Sequence, residues 1–200
     1  MVPDPSRFVR AGVVIPIRAF AVGKARLSEM LDDVPRAQLA ESMADQVVAA
    51  AGPLPIVIVS SADDVRAWAT GHRLTVLDDP GGLDRAAAAG VRWWADRGMP
   101  RAVIAHADLP RAPIGSLARF AADGDRPIVT LVPCHRDDGT PVLSVPVRSS
   151  FSLAYGPGSF RRHAAAGHAA GLAVRVVRDA ALGFDVDLPA DLAALAAPVP

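Results

Sequence analysis

Two hundred residues, 51% of them apolar and 21% charged, describe a globular chain with enough length to bury a core, neither disordered nor fibrous. The 21 basic and 21 acidic residues cancel and no run of five basic residues occurs, which argues against a nucleic-acid partner. Apolar stretches reach only strand length, which excludes a transmembrane helix and a membrane role.

The polar, proline-containing start over residues 1–8 is followed by no signal-peptide core. A single cysteine, Cys134, excludes a disulfide framework and points to a reducing cytoplasm. The charge balance conceals a bias. Twenty of the basic residues are arginine and Lys24 is the only lysine; of the acids all but Glu29 and Glu41 are aspartate. A composition that replaces lysine with arginine wherever either serves draws attention to the lysine that stays.

In chain order, GVVIPI (12–17) reads as a buried strand, followed by the polar-edged loop RAFAVGKARLSEML. Helical spacing then runs over 34–51, with Leu39, Met43, Val47 and Ala50 on one face, and Gly52-Pro53 ends it. A strand at 56–60, a helix at 62–70, a strand at 74–77 and a helix at 83–97 follow. The strand RAVIAHA (101–107) leads to a helix at 113–122, then to strands at 127–133 and 141–147. Asp138-Gly139 between these two is a hairpin signal, and they are the only strands joined without a helix. A helix at 159–170, a strand at 172–177, the segment FDVDLP and a helix at 189–196 complete the chain, and the closing APVP is expected to fray. With neither repeat nor linker, residues 1–200 read as one domain. The alternation predicts an α/β fold: a mostly parallel sheet with helices on both faces and one antiparallel element. Ligands of such sheets bind at the carboxyl ends of strands, so the loops after positions 17, 60, 78, 107 and 187 are where chemistry is expected.

Three loops carry candidate residues. Gly23, Lys24 and Arg26 place a small residue beside two cations, which suits a polyphosphate; a solvated surface loop is the alternative. Neither a Walker A pattern nor a GxGxxG fingerprint is present. Asp108, after an apolar strand, either projects into the cleft to hold a divalent cation or caps the turn before Pro110. Asp185 and Asp187, two apart in an extended segment, share a face, and such like charges call for a cation, with Mg²⁺ the natural guest. Asp187 could equally cap the helix that starts at Pro189.

Gly156-Pro157-Gly158-Ser159 opens a helix whose free N–H groups and positive dipole end suit a phosphate or carboxylate, with Arg161 and Arg162 nearby; a tight turn plus N-cap explains it equally. The turn Asp138-Gly139-Thr140 adds a hydroxyl and backbone donors beside it. The five histidines show no zinc spacing. His106 either flanks the metal or is an ordinary strand histidine. Cys134 reads as structural, and Trp68, Trp93 and Trp94 as packing residues.

Taken in order, VVIPIRAFAVGKARL, DPGGLDRAAAAG, HADLP, DDGTP, YGPGSFRRHAAAGHAAGL and FDVDLPADL resemble the blocks of the 2-phospho-L-lactate / phosphoenolpyruvate guanylyltransferase family of coenzyme F420 biosynthesis. The resemblance covers about residues 12–195, and the GPGSF block with the terminal DxD is its most specific part. It implies a glycosyltransferase-A-like nucleotidyltransferase fold, shared with molybdenum-cofactor guanylyltransferases. It also implies metal aspartates at Asp108, Asp185 and Asp187 and a triphosphate loop containing Lys24 and Arg26. A phospho-acid site is implied at Thr140, Gly156 and Ser159. The chain departs from the family's pattern at Asp84, at His106 and at Asp138-Gly139-Thr140-Pro141.

The expected reaction is attack by the phosphate oxygen of a small phospho-acid on the α-phosphorus of GTP, with release of pyrophosphate. Phosphoenolpyruvate is the first choice of acceptor, ahead of 2-phospholactate or 3-phosphoglycerate. Guanine would be read by Asp79, Asp84 or carbonyls near Gly81-Gly82. A molybdopterin- or sugar-phosphate-type nucleotidyltransferase and a non-catalytic nucleotide-binding paralogue are the alternatives. The expected partners are GTP and the acid in the cytoplasm; a homodimer is admitted, and the sequence leaves the oligomeric state open.

Overall fold

The computed structural model describes residues 11–196; the polar start and the APVP tail lie outside them. Seven strands form one sheet: β1 (Gly12–Pro16), β2 (Ile56–Val59), β3 (Thr75–Leu77), β4 (Arg101–Ala105), β5 (Ile128–Val132), β6 (Val142–Pro146) and β7 (Ala173–Val176), in the order β3-β2-β1-β4-β6-β5-β7. The antiparallel element lies where the hairpin signal placed it. β6 runs antiparallel to both neighbours, β4 and β5, and every other pairing is parallel.

Alternate strand residues feed two cores, as the two-residue period of a strand covered on both faces requires. Val13, Ile15, Ile58, Val103 and Ala105 join one core with residues of α1 (Asp33–Ala51) and α2 (Asp63–Gly71). Val14, Val57, Val59, Ala102 and Ile104 join the other with α3 (Leu83–Asp96), alongside partly buried residues of α4 (Ser159–Ala169). Trp68 and Trp94 are buried among these residues, in accordance with a packing role.

The helix expected over 113–122 is instead a 3-10 segment, Ser116–Asp123. Pro110 and Pro113 remove donors from its approach, and Gly115 enters it at φ 73°, so the tighter turn is what the chain can form there. FDVDLP joins no strand pair and runs directly into α5 (Pro189–Ala196). Among the described residues no helix is long and apolar enough to cross a membrane.

Helix α3 lies unusually close on β1. A Cβ at Gly90 would fall 2.3 Å from Val14 Cγ1, and one at Gly12 2.2 Å from the Trp94 ring. Trp94 Nε1 also donates to the carbonyl of Val13 at 3.1 Å. This contact fixes the strand whose exit loop carries Lys24. Strand order reverses between β1 and β4, so their carboxyl ends open a crevice at that switch point.

Candidate active site

A cleft of about 670 Å³ occupies that crevice, lined by the loop after β1, the start of α3 and the segment leaving β4. Lys24, Arg26, Asp108 and Asp187 all face it, so four sequence-derived candidates from three separated segments meet there. The meeting is tight. Lys24 Nζ donates to Asp187 Oδ1 at 2.8 Å and to Asp108 Oδ2.

Apolar anchors bring these loops together. Leu27, three residues after Lys24, packs in a buried cluster with Met43 of α1 and with Phe184 and Val186. Phe184 and Val186 point inward, leaving Asp185 and Asp187 on the opposite face of the same extended segment. The Val186 amide donates to the Asp108 carbonyl at 3.3 Å, tying that segment to the exit of β4. Arg36 holds the other side: its Nε donates to Gly23 O at 3.0 Å and its Nη2 to Asp33 Oδ1 at 2.8 Å. Phe20, buried edge-on against Trp68 at 5.5 Å between ring centroids, anchors the start of the loop.

Lys24 itself sits at φ 55° and ψ 38°, a left-handed conformation that costs a non-glycine residue roughly 1–2 kcal/mol. Strain of this kind persists where surrounding contacts over-determine it and clusters at functional sites. Here the two carboxylates hold the ammonium in place. Burial works to lower the Lys24 pKa, but Asp108 and Asp187 outweigh it and hold the group above its ordinary value. Burial would likewise raise Asp108, yet Lys24 and then His106 keep its carboxyl below the usual range. Asp185 goes the other way, raised by burial and by the charges of Asp108 and Asp187.

The three aspartates therefore feel one another, but they do not converge on a preformed metal centre; among the described residues no three His, Cys, Asp or Glu side chains do. The ammonium of Lys24 lies between Asp108 and Asp187. The reason is electrostatic, since two partly buried carboxylates draw the nearest flexible cation between them. Asp185 turns to the far side, where His135 Nδ1 approaches its Oδ1 at 3.3 Å and Arg136 Nη2 at 3.5 Å. Arg26 is exposed on the cleft rim.

Helix capping at α5 falls to neither Asp185 nor Asp187. Asp191 Oδ2 accepts the amides of Asp187 and Leu188 at 2.9 and 2.8 Å, as an acid at the third helical position does in a capping box. Arg136 Nη1 bonds the same carboxylate at 2.7 Å. The acid three positions into the helix was the available signal for this cap; nothing local announced Arg36 or Arg136.

The GPGS turn differs from expectation. Its amides are not free: Gly158 N donates to Asp138 Oδ1 at 2.8 Å, Phe160 N to Asp138 O at 3.0 Å and Ser159 N to Gly156 O at 3.0 Å. The hairpin turn thus satisfies the start of α4 that was expected to face an anion. Thr140 and Ser159 are adjacent, with their hydroxyl oxygens 3.4 Å apart, but they are 0% and 2% exposed and lie outside the cleft lining. Gly156 is exposed at φ 101°.

Behind these hydroxyls lies His163, to which the sequence reading gave no role. Its Nε2 accepts the Ala154 amide at 3.0 Å, so in the neutral ring Nδ1 carries the proton and donates to Thr140 Oγ1 at 3.0 Å. Burial pushes its pKa down to about 4. Of the guanine-reading candidates, Asp79 and Gly82 line the cleft. Asp84 does not; its Oδ1 accepts the Tyr155 amide at 2.7 Å.

A structure assigned as a nucleotide-diphospho-sugar transferase from Desulfovibrio desulfuricans superposes with a TM-score of 0.78 over 93% of this chain and 86% of that one, at 17% identity, which establishes the shared fold. The phosphoenolpyruvate guanylyltransferase of Sphaerobacter thermophilus is 30% identical over 94% of this chain and 93% of its own length. That of Thermomonospora curvata is 36% identical over 91% and 81%. The family described as "Guanylyl transferase CofC like" matches residues 11–197. The chain, with its cleft at the β1/β4 switch point, belongs to the CofC-like guanylyl transferase family.

Proposed function

We propose that this protein transfers GMP from GTP to the phosphate of a small phospho-acid, phosphoenolpyruvate in the first instance, as a step of coenzyme F420 biosynthesis. The acceptor's phosphate oxygen forms a bond to the α-phosphorus of GTP. The bond from that phosphorus to the α–β bridging oxygen breaks, and pyrophosphate leaves. The observation that carries the reading is the cluster of Lys24, Asp108 and Asp187 in the cleft of a chain from a guanylyl transferase family. Relatives named for activity on phosphoenolpyruvate, matched over nearly their full length, support that acceptor ahead of 2-phospholactate.

The acceptor phosphate is already anionic, so no protein nucleophile is needed and the work is alignment and charge neutralisation. Lys24 and Arg26 face the cleft and neutralise charge on the departing pyrophosphate. Mg²⁺ suits a donor set of carboxylates, of which Asp108 Oδ1 is buried without a hydrogen-bond partner. Asp108, Asp185 and Asp187 would hold it, and it would supply charge neutralisation at the phosphates. Triphosphate oxygens offer Lys24 a competing set of anions, freeing the carboxylates it now bonds. The acceptor side is assigned to Thr140, Gly156 and Ser159, of which Thr140 and Ser159 are buried behind the cleft lining. One chain supplies all of these groups, and GTP with a phospho-acid implies the cytoplasm.

Incubation of the protein with GTP, Mg²⁺ and each of phosphoenolpyruvate, 2-phospholactate and 3-phosphoglycerate, read by product mass and pyrophosphate release, tests the reading. A guanylylated phosphoenolpyruvate is expected. Pyrophosphate release without an acid acceptor, or tight GTP binding with no release at all, would overturn it.

A further inference from the structure

Residues 184–187 carry Asp185 and Asp187 without belonging to the sheet, so no strand ladder fixes their backbone. The Val186 amide reaches Asp108 O only at 3.3 Å. At Asp187 the backbone is held by a side chain: Asp191 Oδ2 accepts the amides of Asp187 and Leu188 at 2.9 and 2.8 Å. A capping carboxylate used through one oxygen leaves its second oxygen to another partner. Here that partner comes from the turn between β5 and β6.

This turn is seated directly against the acidic segment. The His135 amide donates to Gly183 O at 2.8 Å, and a Cβ at Gly183 would fall 2.7 Å from Pro133 O, so only a glycine there admits the turn. Arg136, the next residue, gives the two protons of Nη1 to Asp191 Oδ1 and to His135 Nε2, each at 2.7 Å. The neutral His135 ring then carries its proton on Nδ1, 3.3 Å from Asp185 Oδ1, and Arg136 Nη2 stands 3.5 Å from the same oxygen. Asp185 and Asp191 are 7% and 5% exposed, so salt screens these contacts little. Further along the same turn, Asp138 Oδ1 accepts the Gly158 amide, which fastens the turn to the start of α4 as well.

We propose that Arg136 is a positioning residue for the acidic segment: by fixing the Asp191 carboxylate it sets the backbone at Asp187, and by standing against Asp185 it sets that carboxylate's direction. This rests on the transferase reading above, in which both aspartates serve a cation at the triphosphate. Arg136 lies outside the cleft lining, so it acts through Asp191 and Asp185. Its influence extends to Lys24, because Asp187, whose amide Asp191 holds, accepts the lysine ammonium at 2.8 Å. The planar fork is what the arrangement requires: its two Nη atoms face two different carboxylates, whereas an ammonium on a similar stem is a single point charge.

Arg136→Gln and Arg136→Lys test this. Mn²⁺ is titrated into protein saturated with α,β-methylene GTP and followed by electron paramagnetic resonance, beside turnover with GTP and phosphoenolpyruvate at saturating Mg²⁺ and the thermal midpoint. Arg136→Gln is expected to bind Mn²⁺ about 10-fold more weakly and to turn over about 10-fold more slowly, as loss of a group that orients ligating carboxylates does. Arg136→Lys should return the midpoint to that of the wild type but neither the Mn²⁺ affinity nor the rate, a split that a merely structural arginine would not produce. Wild-type Mn²⁺ affinity in Arg136→Gln, a wild type that binds no Mn²⁺, or recovery of affinity and rate together with the midpoint in Arg136→Lys overturns the positioning role. A wild type whose Mn²⁺ affinity depends on Arg136 but which releases no pyrophosphate with GTP and any of the three acids overturns the transferase reading and leaves the positioning role standing.

Discussion

Lys24 and Asp187 are 163 positions apart in the chain, yet the lysine ammonium donates to the aspartate at 2.8 Å while also bonding Asp108. The single lysine of the chain thereby acts as the resident cation of the carboxylate cluster. An ammonium in that position holds the Asp108 carboxyl below its usual range, from a residue in a left-handed backbone conformation.

Replacing Lys24 tests this arrangement. Lys24→Ala should lower kcat/KM for GTP by about 10–100-fold, since a charge-assisted contact to the substrate is lost. Lys24→Arg should restore little. A planar guanidinium cannot take the compact position between Asp108 and Asp187 that the ammonium occupies. Kinetics of pyrophosphate release on the two variants will decide, and wild-type rates in Lys24→Arg would sink the argument from geometry.

Asp108→Asn removes one charge while preserving shape. Turnover should fall by about 100-fold or more, with the far-ultraviolet circular dichroism unchanged. Mg²⁺ should raise the thermal midpoint of the wild type through binding to the folded state and raise it less in the variant. Equal Mg²⁺ shifts in the two proteins would remove Asp108 from the proposed ligands.

His163 makes stability depend on pH in a definable window. Its folded pKa is pushed down to about 4 by burial, whereas an unfolded chain titrates near 6.5. Below 6.5 the unfolded state therefore binds a proton that the folded state refuses. Stability should fall as pH drops from about 6.5 to 4, by about 3 kcal/mol over the whole window. Urea midpoints across that range measure it. His163→Gln, which does not titrate, should lose this component, and an unaltered slope in the variant would show that other groups set the acid response.

Gly90→Ala places a methyl group against Val14 in a strand that cannot retreat. Overpacking of this kind costs about 1–3 kcal/mol. The loss should appear in the denaturant midpoint and, because β1 carries the Lys24 loop, as a higher KM for GTP. A variant as stable as the wild type would mean that α3 can lift from the sheet.

Much of the architecture is legible in the sequence because it depends on local pattern. Apolar runs such as GVVIPI and IVIVS, punctuated by glycine and proline, mark strands buried on both faces. The single helix-free connection at Asp138-Gly139 locates the antiparallel strand. The two-residue period of Phe184-Asp185-Val186-Asp187 separates two apolar residues from two acidic ones, and Phe184 and Val186 pack with Leu27 and Met43 in the structure.

What the tertiary structure alone decides is which partner each of those groups takes. Sequence places Lys24 beside phosphates; the fold places it between Asp108 and Asp187, because their partly buried charges attract the nearest cation. Sequence leaves the amides of the GPGS turn open; the fold brings Asp138 to the Gly158 amide, because backbone donors without an intrahelical partner take a nearby acceptor. Arg36 and His163 bear no local signature at all. Their roles arise from contacts between segments far apart in the chain, which composition and periodicity do not encode, and which exist only once the sheet has set its loops side by side.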